Sequence, residues 1–473
     1  MSDTERYDVI VIGTGVAGSC AALEALEAGA SVLLLDGAAK PGGSSRLSGG
    51  MIMAAKTRFQ EERGVKDDPQ ALYEYYMTIN RHGVQPSIAR RLAYESGPTI
   101  HWLADRGVEF IDLLSSGEEP AARGHVTRGG QAIVDALHGR LQNFEKLDIA
   151  LNSYVERLLH RGGAVHGIAT ADYEVEAGAV VLATGGFGAS VDMLAQWRPR
   201  SISEAQGRIQ YVGHDTARGD SIRLGLQVGA QITGDGPGCR TPSGPLTGSY
   251  MPGFCLFVNK VGRRFMDEST SYGLAEALLM DQPGAMAFIV IDDATKNAIQ
   301  TDADVVRHLK VLVPGNEPIL RLWTSAGMDE LLAAGAIQTA SSLPDLAKLL
   351  GVPAANLVGT VERYNAHAAA GEDADYLKKP EWLRPVATPP FYASPLRLNQ
   401  ISLTATGVRV DHEARVMHET SRSIPGLYAA GECAGGVLGG VYVGSGNSLA
   451  NCSVYGRVAG RNAAAYALKT AEA

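Results

Sequence analysis

Residues 7–36 read YDVIVIGTGVAGSCAALEALEAGASVLLLD, and this stretch decides the fold. Residues 9–12 are wholly apolar, as is typical of a central strand in a parallel sheet. A GxGxxG turn at 13–18 opens an alanine- and leucine-rich helix, and a second strand at 32–35 ends in Asp36. This order predicts a dinucleotide site, with the pyrophosphate at the helix N-terminus and the acid on a ribose hydroxyl. The candidate contacts are Gly13, Gly15, Val16, Ala17, Gly18 and Asp36.

Small polar loops recur after later strands. GGSSRLSGG (42–50) follows the ribose acid, LATGG (182–186) ends an apolar run, RGD (218–220) opens a helix, and GE (431–432) ends another strand. Each loop alone is also compatible with an ordinary turn, whereas four together favour one extended ligand such as FAD, which the backbone can approach closely. The candidate contacts are Gly42, Gly43, Ser44, Ser48, Gly49, Gly50, Thr184, Gly185, Gly186, Asp220, Gly431 and Glu432.

The composition excludes several classes of function. The chain has 473 residues, 45% of them hydrophobic and 20% charged, which is typical of a globular protein with two domains or one large domain. Its net charge of −9 argues against nucleic acid as a partner. No apolar run reaches the roughly 18 residues of a transmembrane segment, and the N-terminus enters a strand without a signal peptide. Five scattered cysteines without a CxxC pair predict reduced thiols, no metal site and a cytoplasmic protein.

Motifs along nearly the whole chain carry a family resemblance. They are VIGTGVAGSCAAL, GGSSRLSGG, VVLATGGFG, ARGDSIRLGLQVGA, GRRFMDE, TVERYN, PPFYA, and GLYAAGE followed by GNSL. The sequence resembles the flavoprotein family of fumarate reductases and succinate dehydrogenases, which includes the 3-ketosteroid dehydrogenases. The resemblance implies an α/β fold with a Rossmann-like FAD-binding domain built from both chain ends, residues 1–235 and 403–473. It also implies an inserted α+β capping domain at 236–402.

The last glycine loop and the helix after it complete the FAD site that the resemblance implies. Asn447, Ser448 and Leu449 begin a helix whose N-terminus faces the flavin ring and favours negative charge on the reduced cofactor. Some family members bind flavin covalently through a histidine beside the second glycine loop, but residues 42–50 contain no histidine. We therefore expect non-covalent FAD.

The residues expected around a substrate separate two branches of the family. The fumarate branch grips two carboxylates with arginines and histidines, yet Tyr272 stands where an arginine is expected after GRRFMDE. Residues 435–446 contain no arginine, and residues 401–408 contain no histidine. The ketosteroid branch uses tyrosines at two of these places, and they match Tyr272 and Tyr442. Tyr442 with the backbone N–H of Gly446 matches the pair that holds a carbonyl oxygen in that branch.

The resemblance therefore implies an FAD enzyme that desaturates the carbon–carbon bond beside the carbonyl of a 3-ketosteroid or a similar apolar cyclic ketone. Tyr272 takes the α proton, flavin N5 takes the hydride, and Tyr442 with Gly446 stabilises the enolate oxygen. A separate electron acceptor is needed, because the chain has no second dinucleotide motif and no haem site. One alternative is a reductase of an unsaturated acid, with Arg240 as the carboxylate anchor. A third hypothesis is flavin binding without turnover.

Other polar residues are interpreted as structural. His125 is a candidate proton shuttle, but its surroundings in the sequence are more typical of an exposed loop. The arginines at 263–264 are typical of surface or hinge ion pairs. Residues 342–371 predict two helices of the cap, the first starting near Pro344 and the second restarting at Pro353.

Overall fold

The computed structural model describes residues 6–115, 119–204, 209–234, 238–247, 252–302, 322–444 and 446–471. The chain divides into two compact units. The first contains Met1–Pro199, Tyr211–Cys239 and Ile401–Ala473, and the second contains Arg200–Gln210 and Arg240–Gln400. The helix Pro199–Glu204 and the strands Gln210–Tyr211 and Cys239–Ser243 include boundaries between the units. Residue 236, the predicted start of the cap, lies outside the described residues.

An eight-stranded sheet organises the first unit. Five of its strands run parallel, in the spatial order 423–429, 174–182, 6–12, 32–35 and 147–150. The predicted second strand is confirmed with the same bounds, and all four of its residues are buried, as a parallel strand covered on both faces requires. In chain order the eight strands are Arg6–Ile12, Val32–Leu35, Leu147–Ala150, Arg157–Arg161, Ala164–Ala169, Glu174–Leu182, Arg415–Met417 and Ser423–Ala429.

Helices and two small sheets complete the first unit. The α-helices are Val16–Glu27 (the first helix), Arg58–Glu62, Pro69–Ile79, Pro86–Ala104, Gly130–Leu141, Val191–Trp197, Asp220–Gln227 and Asn447–Ala471 (the last helix). Short 3-10 helices are Gly43–Leu47 and Gly431–Cys433. One three-stranded sheet contains Met51–Met53, Asp112–Leu114 and Gly124–Val126, and the other contains Ile232–Thr233, Gly407–Arg409 and Ala434–Gly435. Among the described residues, no helix has the length and apolar character that crossing a membrane requires.

The first and last helices pack against each other at backbone distance. A Cβ atom at Gly456 would overlap the carbonyl oxygen of Ala17, and a Cβ atom at Gly460 would overlap that of Ala21. A larger side chain at either position would push the two helices apart. The last helix is therefore held directly against the helix that follows the GxGxxG turn at 13–18, the predicted phosphate turn.

A buried ion pair reinforces this helix contact. Arg457 of the last helix donates through Nε to Glu24 Oε1 of the first helix at 2.6 Å and through Nη1 to Thr99 Oγ1 at 3.0 Å. Arg457 and Glu24 are each 8% exposed. Because each charge is buried, removing one partner would leave the other without compensation.

An antiparallel sheet with an apolar cluster on each face forms the core of the second unit. The strand Met286–Asp292 lies between Leu256–Asn259 and Phe391–Leu403, and Gln338–Ala340 pairs with the last of these. All seven residues of the strand at 286–292 are buried, because alternate side chains enter the two separate clusters. The α-helices of this unit are Tyr272–Met280, Asp293–Thr301, Ser325–Ala333, Leu343–Leu350 and Ala354–Ala370, with a 3-10 helix at Pro380–Trp382.

The two helices predicted in the cap are confirmed. Ser342 caps the helix Leu343–Leu350 by accepting a hydrogen bond from the Asp345 amide at 3.2 Å, and a proline occupies its first turn. Pro353 is the N-cap of Ala354–Ala370, and Gly371 ends that helix with a φ of 69°.

Gly460→Ala tests the close helix contact. We expect the free energy of unfolding to fall by about 1–3 kcal/mol, because the added methyl group must displace backbone of the first helix. The matched control is Gly139→Ala in the helix Gly130–Leu141, where an added Cβ meets nothing within 4 Å. That substitution is expected to raise stability by about 0.5–1 kcal/mol. Urea denaturation of the three proteins measures both effects, and equal changes at the two positions would contradict the packing described.

Candidate active site

The phosphate turn has the geometry that its glycines predict. Gly13 has a φ of 110°, and a Cβ atom there would overlap the carbonyl oxygen of Ala183. A Cβ atom at Gly18 would overlap the carbonyl oxygen of Gly13, so the turn and the helix approach each other at backbone distance. Gly15 is the N-cap of the first helix, and no side chain of its own caps that end. A helix N-terminus of this kind binds phosphate through its N–H groups and its positive dipole end.

Two side chains that the sequence interpretation missed hold this turn. Thr14 donates through N and Oγ1 to Asp36 Oδ2 at 2.9 and 2.5 Å, and its Oγ1 accepts from Gly42 N at 3.1 Å. Ser45 Oγ accepts from Val16 N at 3.1 Å. These bonds join segments 22 to 29 residues apart, so no local motif indicated them. Asp36 orders the turn as well as ending the second strand, as predicted.

The second glycine loop is bent by residues with left-handed backbone. Gly42 has a φ of 106° and Gly50 a φ of 71°. A Cβ atom at Gly50 would overlap Thr127 Oγ1 and the backbone of Gly129, so this loop lies directly on the segment that begins the helix Gly130–Leu141. Within the loop, Gly43 starts a 3-10 helix and Ser48 Oγ donates to a backbone carbonyl at 2.7 Å.

A half-buried tyrosine that the sequence interpretation missed lies beside this loop. Ser44 Oγ is 3.3 Å from Tyr211 Oη. The Tyr211 ring covers Gly188 and Gly213, because a Cβ atom at either glycine would overlap it. Burial raises the pKa of Tyr211, with a smaller contribution from the nearby Glu432, so the phenol keeps its proton. The indication in the sequence was the two glycines, Gly188 and Gly213, that the ring contacts.

Glu432 is a partly buried acid where two of the predicted loops meet. Its Oε1 accepts from N and Oγ1 of Thr404 at 2.7 and 2.9 Å, and a Cβ atom at Gly186 would overlap the same oxygen. Burial raises the pKa of Glu432. Gly185 and Gly431 have φ values of 70° and 81°, which turn the chain after the two strands.

Asp220 begins a helix as predicted, but its carboxylate is engaged by neighbouring side chains. Gly219 precedes it with a φ of 90° as the N-cap of Asp220–Gln227. Oδ1 of Asp220 accepts from the Tyr154 hydroxyl and, at 3.1 Å, from Arg223 Nη2. These contacts tie the carboxylate to the segment that follows the strand Leu147–Ala150.

Three buried polar atoms in the glycine loops and the last helix have no hydrogen-bond partner in the part of the chain that the structure describes: Thr184 Oγ1, Asn447 Oδ1 and Asn451 Oδ1. Leaving a buried polar atom unpaired costs about 1–3 kcal/mol, so such atoms are typical of places where a ligand completes the bonding. FAD carries hydroxyl and ring N–H groups that can donate to carbonyl oxygens. The residues present therefore fit FAD, and Asn451 is a further candidate contact that the motifs did not indicate.

The C-terminal glycine loop, of which the structure describes residues 435–444 and Gly446, holds Tyr442 against the start of the last helix. Tyr442 is 5% exposed, and its Oη accepts from Ser448 N at 3.1 Å and donates to Ser448 Oγ at 3.2 Å. Gly446 has a φ of 82°, and a Cβ atom there would overlap the carbonyl of Met51. The loop therefore lies along the strand Met51–Met53, and the predicted start of the last helix at Asn447 is confirmed. Leu449, two residues after Asn447, is also buried.

Tyr272 and Arg240 both belong to the second unit. Tyr272 is half-buried and is the first residue of its helix, which Ser271 Oγ caps by accepting from Leu274 N at 3.4 Å. Arg240 is 2% exposed, and its Nε and its backbone N each donate to the Glu276 carboxylate at 2.9 Å. A substrate carboxylate would have to compete with Glu276 for this guanidinium.

The GRRFMDE motif forms a buried charge network in the second unit. Arg264, expected at the surface or at a hinge, has a side chain only 6% exposed, and its Nε and Nη2 donate to Glu268 at 2.9 Å each. Lys378 Nζ also donates to this carboxylate, at 3.1 Å from the Oε2 atom that accepts from Arg264 Nη2. The motif therefore stabilises the fold of this unit through paired charges.

His125 is a buried strand residue, and the interpretation of it as an exposed loop histidine is wrong. It lies in the strand Gly124–Val126, with Nε2 2.7 Å from Thr57 Oγ1 and Nδ1 2.9 Å from the carbonyl oxygen of Arg123. Burial lowers the pKa of His125 to about 4, so the imidazole is neutral at neutral pH. The partner Thr57 is 68 residues away in sequence, which is why the local composition misled.

His125 is expected to make the protein less stable in mild acid. Between pH 6.5 and about 4 the unfolded chain protonates this histidine and the folded chain does not. The free energy of unfolding should therefore fall by about 1.4 kcal/mol per pH unit from this group as the pH decreases through that window.

His125→Gln keeps a polar group beside Thr57 but does not titrate, so this part of the slope should disappear. Urea denaturation at a series of pH values measures it, with His412→Gln at an exposed histidine as the control. An unchanged slope in His125→Gln would mean that the buried histidine does not cause the acid sensitivity.

The parallel sheet, the phosphate turn and the glycine loops with their unpaired polar atoms define an FAD-binding flavoprotein. The chain belongs to the FAD binding domain family, which it matches over residues 8–449, within the fumarate reductase and succinate dehydrogenase flavoprotein superfamily. FAD is its cofactor, and the protein is an FAD-dependent oxidoreductase. The predicted fold class and cofactor are confirmed.

Three similar proteins illustrate the range of chemistry in this family. Probable fumarate reductase Ifc3 of Shewanella frigidimarina is 32% identical over 484 residues, which cover 98% of this chain and 76% of the relative. Vinyl phenol reductase of Lactiplantibacillus plantarum is 31% identical over 496 residues, covering 98% of this chain and 97% of the relative. The structure of 3-ketosteroid-Δ4-(5α)-dehydrogenase from Rhodococcus jostii with 4-androstene-3,17-dione matches 97% of each chain, with a TM-score of 0.79 and 28% identity.

Proposed function

We propose that this flavoenzyme interconverts a carbon–carbon single bond and double bond beside the carbonyl of an apolar cyclic ketone, and that it desaturates a 3-ketosteroid or a similar compound. The observation that carries the proposal is the segment containing Tyr442 and Gly446, where a phenol and a glycine amide flank the start of the last helix. FAD, when bound, supplies hydride transfer for such a reaction. A separate electron acceptor completes the cycle, and the cofactor is held without a covalent bond.

The bonding of Tyr442 suits it to hold a carbonyl oxygen. Its oxygen accepts from a helix N-terminal amide, which polarises the phenol and strengthens it as a donor. The bond that its proton makes to Ser448 Oγ is 3.2 Å long, well above the usual O–H···O distance of about 2.7–2.8 Å. A ketone oxygen can therefore replace this weak partner at small cost. Gly446, which has no side chain of its own, would supply the second donor through its backbone N–H.

Tyr272 is the proposed base, on the strength of its match to the ketosteroid branch. The residue is half-buried and lies at the start of a capped helix, which fixes the backbone from which its ring extends. As the base of the proposed reaction, Tyr272 would take the α proton of the ketone. Tyr442 and Gly446 are the proposed donors to the enolate oxygen.

Reduction of an activated double bond is the second candidate. The identity of 32% with a probable fumarate reductase and of 31% with a vinyl phenol reductase favours it. Arg240 is weakened as a carboxylate anchor, because Glu276 already pairs with its guanidinium. A reductase of this chain would therefore fit an unsaturated substrate without two carboxylates better than fumarate.

Anaerobic flavin absorbance separates the two directions. The oxidised holoenzyme is mixed with saturated and partly saturated 3-ketosteroids, and bleaching of the flavin band supports desaturation. A dithionite-reduced sample is mixed with enones, vinyl phenols and unsaturated acids, and reoxidation supports reduction. The desaturase proposal is abandoned if no ketone bleaches the flavin while an unsaturated acid reoxidises it. Acid denaturation of the same sample should release all flavin into the supernatant, as non-covalent binding requires.

Tyr442→Phe tests the proposed oxyanion contact. Removing one donor to a developing oxyanion costs about 10²–10³-fold in turnover, and we expect a loss of that size with FAD still bound. Turnover is measured with the ketone that bleaches the flavin best, and FAD content is measured by absorbance. The control is Tyr428→Phe, at a buried tyrosine of the large sheet, which should retain activity. Near-normal turnover in Tyr442→Phe would reduce this tyrosine to a packing role.

A further inference from the structure

Tyr76 of the helix Pro69–Ile79 contacts the C-terminal glycine loop and the last helix at once. Its hydroxyl donates to the carbonyl oxygen of Val437 at 2.7 Å, and Asn447 Nδ2 donates to the same hydroxyl oxygen at 3.3 Å. Tyr76 is 1% exposed and Asn447 is fully buried. These bonds join residues 361 and 371 positions apart.

Asn80, one turn later, fixes Tyr76 and the loop together. Its Oδ1 accepts from Val441 N at 3.0 Å, and its Nδ2 donates to the backbone carbonyl of Tyr76 at 3.1 Å. A Cβ atom at Gly439 would overlap the Asn80 side chain, so the loop backbone lies directly on it. The Tyr76 hydroxyl therefore has a defined position relative to the start of the last helix.

The proton inventory of these groups leaves one arrangement. Burial raises the pKa of Tyr76, so its hydroxyl keeps its single proton. A carbonyl oxygen can only accept, so the proton of Tyr76 points to Val437 at the shorter of the two distances. The phenol oxygen is then only an acceptor towards Asn447, and only the amide nitrogen of Asn447 can face it.

This arrangement decides which way the Asn447 carboxamide faces. With Nδ2 turned to Tyr76, Oδ1 occupies the other position on the planar carboxamide and faces away from the Tyr76 hydroxyl. That oxygen is buried and has no hydrogen-bond partner among the residues that the structure describes. Asn447 is the first residue of the last helix, in the segment that also carries the proposed Tyr442 and Gly446 pair.

We propose that Tyr76 is a positioning residue that fixes the Asn447 carboxamide so that Oδ1 accepts a hydrogen bond from an N–H or O–H donor of FAD. This inference depends on the cofactor and not on the proposed substrate. FAD offers such donors at the ring nitrogen N3 and at its ribityl and ribose hydroxyls. Without the Tyr76 hydroxyl, the Asn447 carboxamide can rotate so that Nδ2 and Oδ1 exchange places. Its N–H groups would then face the N–H or O–H donor of FAD, and two donors cannot form a hydrogen bond.

A double-mutant cycle on FAD release tests the inference. Holoenzyme is diluted in steps, and the fluorescence of released FAD gives its dissociation constant for wild type, Tyr76→Phe, Asn447→Leu and the double variant. We expect Tyr76→Phe to raise the dissociation constant about 3- to 10-fold, the size of one lost hydrogen bond. In the Asn447→Leu background the same substitution should have no further effect, because Tyr76 acts through that amide.

The matched control is Tyr455→Phe. Tyr455 is also a fully buried tyrosine of the first unit, and its hydroxyl donates to a helix carbonyl, that of Ile88, at 3.1 Å. Both substitutions remove one buried phenol-to-carbonyl bond, so thermal unfolding should report similar losses of stability. Only Tyr76→Phe should weaken FAD binding.

Each outcome decides between a positioning role and a structural one. Additive effects of Tyr76→Phe and Asn447→Leu, or equal FAD release from Tyr76→Phe and Tyr455→Phe, would overturn the proposal. Where FAD binding weakens as expected, the visible spectrum identifies the donor. A shifted flavin absorbance maximum in Tyr76→Phe assigns a ring N–H, and an unshifted maximum assigns a hydroxyl of the ribityl or ribose chain.

Discussion

The close contact between the first and last helices is the constraint on which the structure of the first unit, with its FAD-binding loops, depends. Gly456 and Gly460 allow the end of the chain to touch the backbone of the first helix, and Arg457 pairs with Glu24 across the contact. This contact brings the C-terminal glycine loop into the same unit as the phosphate turn. One extended cofactor can then be bound by loops that are far apart in sequence.

Within this unit, glycine and buried polar groups serve opposite purposes. The glycines remove side chains where backbone must approach backbone, as at Gly446 beside Met51. Some polar groups bond to one another, as Glu432 does to Thr404. Others, such as Thr184 Oγ1 and Asn447 Oδ1, have no hydrogen-bond partner among the residues that the structure describes. Buried polar atoms without hydrogen bonds destabilise the protein in the absence of FAD. Hydrogen bonds from bound FAD to these atoms would therefore stabilise the folded state.

Elements governed by local chemistry could be predicted from the sequence. The strand at 32–35, the cap helices and the helix starting at Asn447 follow from apolar periodicity, capping residues and prolines. What the sequence could not reveal were contacts between distant segments. His125 has the local sequence of a loop residue, and its contacts with Thr57 and with two neighbouring strands come from distant segments. Tyr76 carries no motif, and its role depends on groups more than 360 residues away.

Tyr442 and Gly446 are proposed to bind the oxygen of a ketone substrate. A crystal structure of the holoenzyme with a ketone that bleaches the flavin tests that claim. It should have the ketone oxygen within about 3.2 Å of both Tyr442 Oη and Gly446 N, with the phenol proton withdrawn from Ser448 Oγ. A ketone bound elsewhere, with Tyr442 still donating to Ser448, would contradict the assignment and leave only the FAD-binding fold.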